Sequence, residues 1–221
     1  MCIRDSYGSG GPYHSSSVES VLSNIRGIKV AYPSNGADLK GIMKAAYHDP
    51  NPVVILEHKG LYWSKVPGTD MAKTTMPAED YILPLGQANI IQEVQSSNDS
   101  RLTIVTYGMG VHWALNATKD IKEQVEIVDL RTIHPLDKET IFDSVHKTHR
   151  CLVVTEEPVS NSFARSLAGL IQENCFESLD APIKCIGSED MPAIPLNSTL
   201  EQTMIPSADK VRLVVDGLLG Y

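Results

Sequence analysis

The run Val53-Val54-Ile55-Leu56 constrains the fold more than any other stretch of the chain. It is continuous rather than alternating, mostly β-branched, and preceded by Asp49-Pro50-Asn51-Pro52, where the two prolines stop any helix. A strand that is apolar on both faces has to be covered on both faces, which places it centrally in a parallel sheet between layers of helix. The flanking residues agree with this. Gly27 to Pro33 is a second short apolar run closed by proline, and Ser34-Asn35-Gly36-Ala37-Asp38 opens a helix predicted over 39–47. Upstream, Ser16 and Glu19 stand at capping-box spacing ahead of Val21, Leu22 and Ile25, which predicts a helix start there. The order is helix, strand, helix, strand, the pattern of an α/β sheet. Glu57, His58 and Lys59 follow the strand, at the carboxyl edge where open α/β sheets take ligands and where ordinary surface charges also occur.

The same grammar resumes later. Between residues 63 and 100 it is broken by Pro67-Gly68, Met76-Pro77, Leu83-Pro84-Leu85-Gly86 and Ser96 to Ser100, a linker with one short strand expected within 88–94. Strands are then expected at 102–108, 125–130, 151–155 and 183–186, with helices at 111–123, 137–146, 162–174 and 208–219. Gly108-Met109-Gly110 lacks the third glycine of a dinucleotide fingerprint and reads as a tight turn. The expected architecture is therefore α/β, with two parallel-sheet, three-layer domains. Residues 1–7 form a foreign-looking leader without periodicity, 8–62 a first domain, 63–100 the linker and 101–221 the second domain. The leader carries the expectation that the natural start lies upstream.

Charge narrows the function classes. The formal charge of -8 argues against nucleic acid and anionic membrane as partners and favours basic ones. No apolar run has the length of a membrane span, and no signal core follows the N-terminus. Cys2, Cys151, Cys175 and Cys185 form no C-x-x-C pair and read as reduced, mostly buried thiols of an intracellular protein. His134, His146 and His149 lack cysteines or paired carboxylates at ligand spacing, so a metal site is not expected there. His14 stands between a glycine-rich turn and the first helix start, where the helix dipole lowers an imidazole pKa and favours anions. Spacing alone leaves it either a polar loop residue or a ligand-binding imidazole.

Two motif sets carry a family resemblance. Gly11-Pro12-Tyr13-His14-Ser15, Gly27-Ile28-Lys29-Val30, Asp49-Pro50-Asn51-Pro52-Val53-Val54, Leu56-Glu57 and Leu61-Tyr62 resemble the β subunit of the thiamine-diphosphate-dependent decarboxylase component of 2-oxoacid dehydrogenase complexes. Val128-Asp129-Leu130-Arg131-Thr132-Ile133, Pro135-Leu136-Asp137, Thr155-Glu156-Glu157-Pro158 and the segment from Pro192 to Pro206 resemble the transketolase C-terminal domain of the same subunit. The resemblance implies a partial pyrimidine-binding domain followed by a transketolase C-terminal domain. It implies that His14 is the active-site histidine, which binds the 2-oxoacid carboxylate or the intermediate and takes part in acylation of the lipoyl group. It implies that Ala46, Asp49 and Asn51 occupy positions holding a structural potassium ion; as residue types they fit either a hard-cation site or a plain helix stop.

The implied activity is oxidative decarboxylation of a 2-oxoacid, branched-chain or pyruvate, the wording of the motifs standing closer to the branched-chain subunits, with acyl transfer to lipoamide. The implied cofactors are thiamine diphosphate with Mg2+, and K+. The implied partners are an α subunit or a fused α half, a second β copy and the lipoyl acyltransferase core, in bacterial cytoplasm or the mitochondrial matrix. Two parts of such a site are missing from the sequence. The glutamate that bonds the cofactor's aminopyrimidine belongs to an upstream segment, and no Gly-Asp-Gly for magnesium and diphosphate occurs. The chain alone is therefore expected to be inactive. Two rival readings are another transketolase-type thiamine enzyme, such as transketolase or deoxyxylulose phosphate synthase, and a non-catalytic module that docks the basic binding domain of the acyltransferase.

Overall fold

The computed structural model describes residues 2–3, 16–62, 66–96, 100–192 and 194–221. His14 lies outside them. The first unit contains β1 (Cys2–Ile3), α1 (Glu19–Ser23), β2 (Lys29–Ala31), α2 (Gly36–His48), β3 (Val53–Glu57) and the single turn α3 (Lys59–Tyr62). β4 (Asn89–Gln92) lies in the connecting stretch. The second unit follows as β5 (Leu102–Thr106), α4 (Met109–Ala117), β6 (Val125–Asp129), β7 (Thr132–His134), α5 (Lys138–Thr148), β8 (Cys151–Pro158), α6 (Phe163–Cys175), β9 (Lys184–Ser188), α7 (Ser198–Met204) and α8 (Ala208–Leu219). No helix among the described residues is long and apolar enough to cross a membrane.

The described strands form two sheets, in the orders β1-β3-β2-β7 and β4-β6-β5-β8-β9. Within each the central pairings are parallel, as the uninterrupted apolar runs require. The expectation of wholly parallel sheets is corrected at two edges. β7 runs antiparallel to β2, and β4 antiparallel to β6. Hydrophobic pattern specifies which faces are buried, but not the direction of an edge partner. Cys2–Ile3, expected to be foreign to the fold, pair in parallel with Leu56 and Glu57.

Every residue of β5 and β6 is buried, and their side chains divide between two cores. Val105, Val128 and Val153 face α5 and α6 through Ile141, Val145, Leu167 and Ile171. Ile104, Ile127, Leu152 and Val154 face α4 and α8 through Ala114, Val211 and Val215. The alternation of successive side chains makes the second unit a three-layer sandwich. Each such fully buried Val, Ile or Leu contributes about 1.5–3 kcal/mol relative to exposure.

Local chemistry sets most helix starts. Asn35, Asp137, Ser162 and Ser207 each accept a hydrogen bond from an amide in the first turn of α2, α5, α6 and α8. α1 and α4 have no such cap. The capping box expected at Ser16 and Glu19 does not form: the helix starts at Glu19, the N-cap position is Val18, and no side chain near it in sequence caps it. The helix expected over 111–123 stops at Ala117, where the Thr118 hydroxyl turns back to donate to the Ala114 carbonyl at 2.9 Å. Gly110 is fixed by space. A Cβ there would lie 2.0 Å from Thr106 Oγ1, which itself donates to the Val154 carbonyl at 2.9 Å.

The two units are joined by more than the linker. β7 belongs to the second half of the chain yet completes the first sheet, pairing Val30 with His134 and Ala31 with Thr132. Beside this seam Asp129, wholly buried, accepts a 2.5 Å hydrogen bond from Ser34 Oγ, and the His112 ring nitrogen Nε2 lies 2.9 Å from the Ser34 carbonyl. Burial holds His112 below the usual histidine range, so the neutral ring donates there. Arg131 takes a left-handed φ of 57°, a conformation that costs a non-glycine residue about 1–2 kcal/mol. Its side chain offsets this with a bidentate pair to Asp38, at 2.8 and 2.9 Å, while its amide donates to Asp129 at 3.0 Å. Burial pushes the Asp129 carboxyl up to about 7, Asp38 adds to the rise, and Ser34 and the Arg131 amide oppose it.

Two outcomes follow from this packing. Gly110→Ala lowers stability by about 2 kcal/mol in urea denaturation, and adding Thr106→Ala to the same chain recovers much of the loss, as a double-mutant cycle would register. Because folded Asp129 keeps its proton to about pH 7 while the unfolded residue loses it near pH 4, its contribution to stability falls as pH rises through that window and is constant above it. In Asp129→Asn that slope is absent, and the stability of the variant relative to wild type rises between pH 4 and 8 by at most about 4 kcal/mol.

Candidate functional site

The carboxyl ends of β2 and β3 open on a cavity of about 160 Å3 lined by Pro33, Ser34, Leu39, Glu57, His58 and Leu61, among others. Glu57 ends β3 almost fully buried, accepts a hydrogen bond from the Tyr62 hydroxyl, and has its carboxyl pKa raised by burial. His58, also in the cavity lining, is fixed by both ring nitrogens. Its Nδ1 accepts the Gly60 amide at 3.1 Å, and its Nε2 stands 3.1 Å from Glu156 Oε2 at the end of β8. Both side chains are buried, so the contact bridges the two units in a low dielectric.

Next to Glu156, the Glu157 carboxylate reaches two helices. One oxygen accepts the Ser20 amide of α1 at 2.9 Å, and the other accepts the Phe163 amide of α6 at 2.9 Å. Tyr107 completes this layer, its hydroxyl 2.6 Å from Thr155 Oγ1 and its ring 5.5 Å from that of Tyr32. Burial, followed by the Glu19, Glu157 and Glu156 carboxylates, pushes the Tyr107 phenol well above its usual value. The junction is thus a buried, acidic, tyrosine-lined layer whose polar groups come from both halves of the chain. It can orient backbone and hold protons; the nearby edge of β2 and β3 is where a ligand has room.

His14, the expected catalytic residue, lies outside the described residues. Ala46, Asp49 and Asn51 come together at the end of α2. The Ala46 carbonyl accepts the Asp49 amide at 3.3 Å, and Asp49 Oδ1 accepts the Asn51 amide at 2.9 Å and its side-chain nitrogen at 3.0 Å. Asp49 Oδ2 pairs with the Lys29 ammonium, which, with the Asn51 bonds, holds this carboxyl below its usual range. The oxygen donors suit a hard monovalent cation, with Lys29 as a competing charge. Among the described residues no group of three or more His, Cys, Asp or Glu side chains is arranged to hold a metal ion. His146 and His149 instead meet the Ser178 hydroxyl and carbonyl, at 2.9 and 2.8 Å. The contacts of Ser34, His112 and Asp129 and the role of Glu157 are absent from the sequence expectations. The available signal was the pair Glu156-Glu157, charged and consecutive at the end of an apolar strand.

Comparison with known proteins agrees with this architecture. Residues 91–211 match the family described as transketolase, C-terminal domain, and residues 1–64 the family described as transketolase, pyrimidine binding domain. The 2-oxoisovalerate dehydrogenase subunit beta of Bacillus subtilis is 39% identical over the whole of this chain and 66% of its own length. The pyruvate dehydrogenase E1 component subunit beta of Rhizobium meliloti is 36% identical over 90% of this chain and 41% of its own length. The chain therefore spans less than two thirds of the length of these relatives. A solved structure described as a split gene transketolase, inactive beta4 tetramer, shares the fold with a TM-score of 0.72 over 99% of this chain and 65% of that one, at 19% identity. By both of its domains the chain belongs to the transketolase family, and within it is similar to the beta subunits of 2-oxoacid dehydrogenases.

Proposed function

We propose that this chain serves as the β-subunit portion of a thiamine-diphosphate-dependent 2-oxoacid dehydrogenase, acting on branched-chain 2-oxoacids in preference to pyruvate. The observation that carries the reading is the alignment of the entire chain, across both domains, with a 2-oxoisovalerate dehydrogenase subunit beta. The chain has no Gly-Asp-Gly segment, so the diphosphate and Mg2+ fall to an α partner or fused α half, and this chain contributes one wall of a shared site. Bound thiamine diphosphate supplies the electron sink for decarboxylation. His14 binds the substrate carboxylate and serves in passing the acyl group to a lipoyl arm of the acyltransferase core, whose basic binding domain meets the acidic surface of a β pair. The cavity at the carboxyl edge of β2 and β3 receives the substrate, and the His58–Glu156 contact stands behind it. Ala46, Asp49 and Asn51 hold K+ at the end of α2, bracing the turn into β3.

Two measurements test this. In the enzyme assembled from this chain extended by the glutamate-bearing upstream segment, together with its α partner, 2-oxoacid-dependent acylation of a lipoyl domain is expected, larger for branched-chain acids than for pyruvate, and His14→Ala lowers kcat by about a hundredfold or more. Absence of activity toward any 2-oxoacid in the assembled enzyme, or an unimpaired His14→Ala variant, refutes the catalytic assignment. For the cation, Tm is expected to be about 2–4 °C higher in KCl than in NaCl of equal ionic strength, a difference that Asp49→Ala removes.

A further inference from the structure

We propose that Glu157 is a positioning residue: one carboxylate of the C-terminal domain clamps the start of α1 in the pyrimidine-binding domain, the described helix nearest to His14 in sequence. This rests on the reading of His14 as catalytic. Ser20, whose amide meets Glu157 Oε1, is six residues beyond His14 in the chain but 137 residues from Glu157.

The clamp is specific to α1. A five-residue helix is too short to hold itself in water, and this one has no local cap. α2, α5, α6 and α8 each have one. α6, the other helix Glu157 reaches, is already capped by Ser162 through the Arg165 amide at 3.2 Å. Among the described residues α6 thus has two side-chain acceptors at its first turn, Ser162 and Glu157, whereas the start of α1 has the Glu157 carboxylate in place of a local cap. Glu157 is 3% exposed and lies in the same layer as Glu19 and Glu156, so its charge is opposed by like charges and compensated by the amide ends of two helices. Because each oxygen serves a different domain, both the length and the two-acceptor character of glutamate are used. Glutamine retains one acceptor and turns an NH2 toward the other amide; aspartate keeps the charge but is one methylene too short to span both.

The experiment pairs amide hydrogen exchange in the 221-residue chain with kinetics of the assembled enzyme. In Glu157→Ala the Ser20 amide is expected to exchange about tenfold faster or more, and in Glu157→Gln at least one of the Ser20 and Phe163 amides does so. Both variants, and Glu157→Asp, are expected to lose about tenfold in kcat with KM for the 2-oxoacid nearly unchanged. Ser162→Ala, which removes only the local cap of α6, leaves kcat unchanged. If Glu157→Ala does not fold, Glu157→Gln and Glu157→Asp carry the same comparison. Unchanged Ser20 exchange in the variants overturns the clamp. Faster exchange with wild-type kcat overturns its positioning role, and wild-type kcat in Glu157→Asp shows that charge rather than reach matters, which also overturns it. A fully active His14→Ala together with faster Ser20 exchange in Glu157→Ala refutes the His14 reading while the clamp itself stands.

Discussion

The pairing of β7 with β2 is the constraint on which the rest of the structure depends. A three-residue strand contributes few ladder hydrogen bonds, yet this one fixes where the first sheet sits against the second. Everything beside the seam is compatible with only one register. Arg131 can point at Asp38 only if the chain turns through a left-handed residue just before β7, and the Tyr32 amide then donates to the Arg131 carbonyl at 2.8 Å. Ser34 can meet Asp129 only if β2 ends level with β6. A one-residue slip would turn the side chains of β7 to the opposite faces and break each of these contacts together. The apolar core follows the same seam, since Val30, Tyr32 and Leu56 of the first unit pack in one cluster with Val105, Val128 and Val153 of the second.

Electrostatically, the junction is managed with dipoles more than with opposite charges. The described residues place Glu19, Glu57, Asp129, Glu156 and Glu157 all nearly out of water. Such a concentration of acids is stable only where protons, hydroxyls or amide groups take up the charge. The protein combines these devices: a raised pKa and the Ser34 hydroxyl at Asp129, a raised pKa and the Tyr62 hydroxyl at Glu57, an imidazole beside Glu156 and two helix starts at Glu157. The same devices form a buried wall behind the open edge of β2 and β3, where the cavity lies.

Much of the scaffold was legible in the residues, and the exceptions share one cause. β3, β5, β6 and β8 are runs of apolar, β-branched residues that no helix face can bury, and their parallel arrangement follows from being covered twice. Thr132-Ile133-His134 carries no comparable signal, because its partner strand lies a hundred residues earlier, and its strand character is imposed by that partner. The capping box at Ser16 and Glu19 is a sound local pattern that loses to a distant carboxylate. Short α7, set between prolines, has too few residues to show a period. At the candidate site, His14 and the Ala46, Asp49, Asn51 turn could be named from motifs, whereas Ser34, His112 and Asp129 could not. Their chemistry consists of contacts across 78 and 95 residues, which local spacing does not encode.

The placement of β7 also bears on synthesis. A ribosome releases this chain from its N-terminus, and the strand that borders β2 is made only after the linker, β5 and β6 have already emerged. Until then the first sheet has an open edge of unpaired backbone groups, the kind of surface that pairs with other chains. Maturation of the N-terminal half is in this sense deferred to the translation of residues near 134, and a nascent chain stalled earlier is the form most exposed to aggregation or to a chaperone.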